Sequence, residues 1–402
     1  MSFKNKYLGT NVSKGFIALH KNRTITFIAT GLLGLYIPIF LFDLFGQNFQ
    51  MVAWFYLIGY LIFGLTVAVA TKYLNTFGFK RALQTATIFG VLYFTFFYFI
   101  NETNYKIFIP LIIISLTFYR LLYWVPFNVD LAKFTSRKNR ARQIGVLAAT
   151  KNAVAIFTPM LAGYIIIKYS FNHLFIIAII LYVLSAIPLI KIPHTKEKFS
   201  WSIRDTWKHF FSKKRRPEVL AFMADGGEGV VGGVIWPIFM FQILNGDYLE
   251  LGVISSVIVA VTIILQLTVG NYADNKKTKK DKVLKYGTIF YALGWLLKIF
   301  IGTAFQIFII DAYHKLSRIF MRIPFDAIVY EKASDEGHLV DEFTVIREMA
   351  VNIGRVFMLF AIIALSYFTT IQITFILAAL ASISLNTIKT IKNPPLFPEL
   401  TK

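Results

Sequence analysis

A chain of 402 residues that is 56% hydrophobic and only 16% charged falls outside the range of soluble domains, which run about 45–50% apolar and about 25% charged. Its mean hydropathy of +0.62 points to an integral membrane protein, and the absence of cysteine excludes disulfides, thiolate metal sites and thiol catalysis. The net charge of +21 fits either nucleic acid or an anionic membrane surface until the basic residues are located.

The first 23 residues are basic, without a short apolar core or a small-residue cleavage site, and read as a retained cytoplasmic segment. Runs of the roughly 20 apolar residues that a spanning helix needs follow at 24–46, 51–70, 84–101, 107–131, 144–167 and 173–190. Six more lie at 219–244, 250–270, 284–303, 306–330, 344–367 and 371–388. They are apolar all round, without period-two alternation, so helix is the expected state. Lys and Arg gather at the N-terminus, in alternate connections and in the tail, whereas the opposite connections hold Lys106 and Lys168 only. This asymmetry places both termini in the cytoplasm and accounts for the basic excess without nucleic acid. The acidic loop 331–342 lies on the same side and reads as solvated.

The longest connection, 191–218, places Phe199, Ile203, Trp207, Phe210 and Phe211 at helical spacing among basic residues. Ser202 and Asp205 have the spacing of a capping box. An amphipathic helix lying on the anionic leaflet is expected there.

Charge inside a span costs roughly 2.5–3.5 kcal/mol even on the mildest scale, so each instance needs an offset. Span four carries Arg120, Trp124 and Asn128 four residues apart, and span ten carries His314, Arg318, Arg322 and Asp326 in the same way. Residues so spaced share a helix face. Two readings stand. In one, the stripes line a water-filled substrate site whose arginine forks suit a carboxylate or phosphate. In the other, they form internal ion pairs with Asp225, Glu228, Asp130 or Asp326. Arg322 and Asp326 lie toward the cytoplasmic end, where a gating role fits. Span seven opens with AFMADGGEGVVGGVIWP, in which Asp225 and Glu228 share a face among glycines that weaken the helix. A carboxyl there can load and release a proton as access alternates, and Glu228, the deeper of the two, is the first candidate. A buried pair with an arginine is the alternative. Asp43 reads as interfacial, and Lys151, Asn152, Arg347, Glu348 and Arg355 read as interhelical hydrogen-bonding groups.

The two halves of the chain match. YIPIFLFDLFG (36–46) corresponds to IWPIFMFQILNG (235–246), with Pro38 and Pro237 offset by 199 residues. Asn75 and Asp274 share that offset, and Arg120 and Arg318 are 198 apart. The connection after the second span, TKYLNTFGFK (71–80), resembles the G-x-x-x-D-x-x-G-R-[KR] loop of the major facilitator superfamily. It keeps Gly78 and Lys80 but has Thr71 and Asn75 for Gly and Asp. The second copy, GNYADNKKTK (270–279), keeps Gly270, Asp274 and Lys279 and has Lys277 for the second Gly. TPMLAG (158–163) resembles the fifth-helix motif of antiporters.

This resemblance covers essentially the whole chain. It implies an all-α polytopic membrane protein with twelve transmembrane helices, built as two parallel-repeat six-helix bundles (1–190 and 219–402) around the 191–218 linker. It implies that spans one, four, seven and ten line a central cavity. It also implies that Gly78, Lys80, Gly270, Asp274 and Lys279 serve gating and conformational change, the role that its position near the cytoplasmic end gives to Asp326. No GxxxxGKS, HExxH or GxSxG occurs, so neither an enzyme, an ATP-driven pump, a cofactor nor a metal is expected. The expectation is a monomeric secondary transporter in the plasma membrane (the inner membrane if bacterial). It would move a small anionic or zwitterionic solute by alternating access with a proton as the coupling ion. The rival readings are drug efflux or lipid transport on the same fold, and a non-transporting sensor or scaffold.

Overall fold

The computed structural model describes residues 12–135, 140–195, 199–273, 280–335 and 340–388, and contains no strand among them. The first crossing is a broken helix, α1 (Lys14–Gly34) and α2 (Ile37–Leu44). It is followed by α3 (Phe49–Phe77), α4 (Phe79–Phe99), α5 (Tyr105–Phe134), α6 (Arg140–Lys168) and α7 (Phe171–Ile190). The connection carries α8 (Ile203–Phe210). A second broken crossing joins α9 (Arg216–Val230), a π-helical turn (Val231–Ile235) and α10 (Trp236–Ile243). Then come α11 (Tyr248–Ala273), α12 (Lys280–Leu297), α13 (Ala304–Asp335), α14 (Val340–Ser366) and α15 (Thr374–Ser384).

Among the described residues, 10 crossings are long and apolar enough to span a bilayer. The other two expected spans are present as helices of different character. α13 is 32 residues long but studded with charge, and Ile371–Thr387 is apolar but short. The first helix begins at Lys14 and not at residue 24. Ser13 caps it by accepting a hydrogen bond from the Phe16 amide at 3.0 Å, and Phe16, Leu19 and Asn22 carry its buried face through the basic stretch.

In the first half α4 lies along α5 and α7, and α1 along α6 and α7. In the second, α12 lies along α13 and α15, and α9 along α14 and α15. Two seams join the halves, α3 against α14 and α6 against α11. Both broken crossings resume at a proline, Pro38 and Pro237, which fits the first turn of a helix because it has no amide proton to leave unsatisfied. Both then end in the same turn. Gly46 and Gln47 have φ of 61° and 63°, and Asn245 and Gly246 have 51° and 82°. The amide of Gln47 bonds the Phe42 carbonyl at 2.8 Å, and that of Gly246 bonds the Phe241 carbonyl at 3.0 Å. Two successive left-handed residues are needed in each turn, and glycine fills a different one of them each time.

The linker helix has the expected capping box: Ser202 accepts from the Asp205 amide at 3.1 Å, and Asp205 from the Ser202 amide at 3.3 Å. These serine hydrogen bonds hold the Asp205 carboxyl below the usual carboxylate range. The apolar face differs from expectation. Phe199 and Phe210 are buried against the bundle, Phe199 beside the Phe79 ring at 6.0 Å, while Phe211 is 74% exposed.

Two ties hold the linker down. Asn75, at the end of α3, donates its amide to the Phe199 carbonyl at 3.0 Å and accepts the Phe199 amide at 2.8 Å. Glu342, in α14, accepts both the amide (2.8 Å) and the hydroxyl (2.7 Å) of Ser200. Part of the acidic segment therefore has a specific partner. A carboxylate at 75 could accept but not donate. Asn75→Asp should leave the Phe199 carbonyl facing an anion, at a local cost of about 1–3 kcal/mol. Faster tryptic cleavage at Arg204 and Lys208 is expected, and an unchanged rate would remove Asn75 from this role.

Candidate functional site

The α13 stripe predicted from spacing exists, and its members divide the work. Toward the end of the bundle that carries the linker, Arg322 donates to Asp225 of α9 at 2.5 Å and to Asp326, one turn away, at 3.0 Å. Arg318, one turn further in, is exposed although it lies well inside the helix. It sits within electrostatic reach of Tyr291, Glu228 and Asp225. Glu228 is 2% exposed and accepts a hydrogen bond from the Tyr291 hydroxyl. Asp225 and Glu228 of α9, three residues apart, thus meet neighbouring helices, Asp225 at Arg322 of α13 and Glu228 at Tyr291 of α12.

His314 is buried behind this group. Its ring stacks on Tyr291 at 4.4 Å and meets Trp295 at 4.5 Å. Among the described residues its Nδ1 has no hydrogen-bond partner. One turn further, Asp311 binds Lys298 at 2.7 Å and Lys315 at 3.2 Å. The Lys298 ammonium also lies 3.7 Å from the centre of the Trp236 ring. A run of polar groups thus extends from Asp326 through Arg322, Arg318, Tyr291 and His314 to Lys298 and Asp311.

The facing half supplies cations. Arg23 of α1 is caged by aromatic rings, with its guanidinium carbon 4.4 Å from the Phe27 centroid and 4.6 Å from that of Trp124. Its neighbour Asn22 accepts from the Tyr123 hydroxyl at 2.8 Å and donates to the Ser185 carbonyl at 2.8 Å. Lys151 of α6 is exposed, within electrostatic reach of Arg318, Arg23 and Arg322. Arg120 lies over the Tyr60 ring at 4.9 Å, and Asn128 is half-buried on the same helix. Arg23, Lys151, Arg318 and Arg322 therefore converge from both halves of the chain.

The remaining motif residues cap and bridge. Gly78 separates α3 from α4 at φ 78°, a left-handed conformation that favours glycine, and Lys80 donates to the Ile190 carbonyl at the end of α7 at 2.8 Å. Gly270 lies in α11, while Asp274 and Lys279 fall outside the described residues. Asp43, read as interfacial, has a partner across the halves in the Tyr248 hydroxyl. The Tyr36 hydroxyl lies 2.8 Å from the Pro159 carbonyl and 2.9 Å from that of Tyr248. At the end of the bundle away from the linker the halves are thus stitched together. Within α14, Asn352 donates to the Glu348 carbonyl at 2.7 Å and accepts from Arg355 at 3.1 Å, so these two polar groups hydrogen-bond along their own helix.

Sequence reasoning missed Arg23, Tyr60, Tyr291, Trp295, Lys298 and Asp311. Lys298 and Asp311 did carry a signal, an acid and a base facing each other across a short turn between two apolar runs. No group of three or more potential metal-ligating side chains occurs among the described residues. Compared with known families, the chain matches the Major Facilitator Superfamily over residues 22–220, from α1 into α9. A search of curated proteins found no match.

Proposed function

Because this chain belongs to the Major Facilitator Superfamily, a family of membrane transporters, we propose that it moves a small anionic or zwitterionic solute by alternating access, coupled to a proton. The observation that carries this reading is the exposed Arg318, set beside Glu228 and Asp225 and facing Lys151 and Arg23 from the other half. Four cations (Arg23, Lys151, Arg318 and Arg322) meeting three carboxylates (Asp225, Glu228 and Asp326) inside an apolar bundle leave an excess of positive charge that an anionic solute would neutralise. Arg120, Trp124, Asn128, Arg318 and Arg322 form the walls of this site, and His314 backs it.

Twelve crossings arranged as two six-helix repeats, 1–190 and 219–402, go with this reading. The repeated turns after α2 and α10, the breaks before Pro38 and Pro237, and the matching helix pairings support the duplication. The Lys and Arg bias places the linker end, and both termini, in the cytoplasm. Asp225 is held by Arg322, which leaves Glu228, bound to the neutral donor Tyr291, as the group that takes the proton. Glu228 and Arg318 lie within electrostatic reach of each other, so an anion bound at Arg318 and a proton bound at Glu228 each balance charge that the other introduces. Solute and proton thereby load together.

A thermal-shift screen of the detergent-purified protein with anionic, neutral, cationic and lipid-like solutes tests the reading. An anion should stabilise wild type and not Arg318→Ala. In vesicles, Glu228→Gln keeps the Tyr291 hydrogen bond but cannot ionise. It should reduce uphill accumulation at least about tenfold while sparing counterflow exchange. Retained accumulation would remove Glu228 from the coupling step.

One observation favours a second reading. An open apolar groove of about 450 Å³ runs over the α6–α11 seam, lined by Phe157, Met160, Leu161, Tyr164, Leu249 and Val253. A lipid-like or apolar cationic solute would fit that chemistry. Stabilisation by such solutes, unchanged in Arg318→Ala, would favour it.

A further inference from the structure

Basic groups deep in this bundle have acids beside them at two places: Arg322 has Asp225 and Asp326, and Lys298 has Asp311. Arg120 and Arg355 depart from that pattern. Arg120 stands near the middle of the 30-residue α5, and Arg355 stands near the middle of the apolar crossing Glu342–Ser366. They come from different halves of the chain and converge on one side chain, Tyr60 of α3. The guanidinium carbon of Arg120 is 4.9 Å from the Tyr60 ring centroid, and that of Arg355 is 4.7 Å away. The two cations can therefore be no further apart than the sum of those distances, about 10 Å, which is within unscreened range in a low-dielectric setting.

Among the described residues neither arginine has a carboxylate within salt-bridge distance, and Arg355 has the neutral Asn352 amide oxygen at 3.1 Å. The titratable neighbours in electrostatic reach of Arg120 include the phenols Tyr56 and Tyr93, which are not acids at neutral pH. Tyr60 attracts each guanidinium through its ring face, but it does not separate or neutralise two like charges. Both arginines are half-buried and so are not sealed inside the protein.

Resting on the transporter reading, we infer that Arg120 and Arg355 clamp one anionic group of the solute, a carboxylate or a phosphate, across the seam between the halves. Guanidinium forks match either group in two hydrogen bonds each. A lipid headgroup phosphate lies at the membrane surface and not at mid-helix, so the anion comes from the solute. Because one arm belongs to each half, the anion draws α5 and α14 together and favours the state in which this seam is closed.

The test is a thermal-shift titration with inorganic phosphate and with succinate against chloride at matched ionic strength. It is run on wild type, Arg120→Gln, Arg355→Gln and Arg318→Ala. Wild type should be stabilised, and each Gln variant should bind at least about tenfold more weakly. Without anion the Gln variants should be as stable as wild type or more so, because one of two repelling charges is gone. Arg355→Lys carries the test if Arg355→Gln does not purify; losing the fork should weaken succinate by about threefold or more. Undiminished binding in either Gln variant, or no anion-dependent shift in wild type, overturns the clamp. Binding lost in Arg318→Ala but intact in both Gln variants overturns the clamp and leaves the transporter reading standing. Binding lost in the Gln variants and retained in Arg318→Ala supports the clamp and displaces the site centred on Arg318.

Discussion

Asp311→Asn should destabilise the protein by about 3–5 kcal/mol, the usual cost of removing one partner of a buried ion pair. The Lys298 side chain is 1% exposed, its ammonium is 2.7 Å from Asp311, and it is flanked by Trp236 and Trp295. Without Asp311 the remaining contacts are ring faces, which do not neutralise an ammonium. Lys315 shares Asp311 but is 31% exposed and can turn toward solvent. The measurement is the melting temperature and the monodisperse fraction in mild detergent. Lys298→Met combined with Asp311→Leu removes both charges and should recover most of the loss. A single Asn variant that melts with wild type would mean that Lys298 is already neutral.

Placing valine at Gly226 or Gly354 should be as damaging by a different route. α9 and α14 touch backbone to backbone. A Cβ on Gly226 would overlap the Val351 carbonyl, and one on Gly354 would overlap the Met223 carbonyl. Close approach through small residues is how apolar helices gain packing energy in a membrane. Here the obstacle is main chain, which cannot rotate aside, so the cost should reach or exceed the about 1–3 kcal/mol usual for overpacking. Gly229 is the control, since a Cβ there meets open space within 4 Å. Gly229→Ala should be neutral or gain up to about 1 kcal/mol from helix propensity. Equal melting temperatures for Gly226→Val and Gly229→Ala would refute the close seam.

The helical type and ten of the apolar spans were legible because apolar runs need no periodicity to be recognised. Boundaries were less so: Lys14 to Arg23 lowers the hydropathy of the first helix, yet Phe16, Leu19 and Asn22 keep its buried face continuous. The α13 stripe and the Asp225 and Glu228 pair were read from spacing, since a helix fixes which residues share a face. Their partners were hidden because spacing within one helix says nothing about its neighbour. Tyr291 on Glu228, Tyr60 under Arg120, and Trp124 beside Arg23 all come from other helices. The linker teaches the same lesson in another form. Amphipathicity identified the apolar residues but not what they face, and Phe199 and Phe210 turn to protein while Phe211 stays exposed.

The Lys298 and Asp311 pair also bears on how the chain enters the bilayer. α13 is not apolar enough to count as a span by itself, and each bare charge at the centre of an inserting helix costs roughly 2.5–3.5 kcal/mol. Lys298 directly follows α12 and Asp311 lies in the first turns of α13, with a short reversal between them. The pair is therefore complete as soon as that hairpin forms, without help from a distant helix. A helix too charged to count as a span can be carried into lipid by the one synthesised just before it, with two opposite charges entering as a neutral unit.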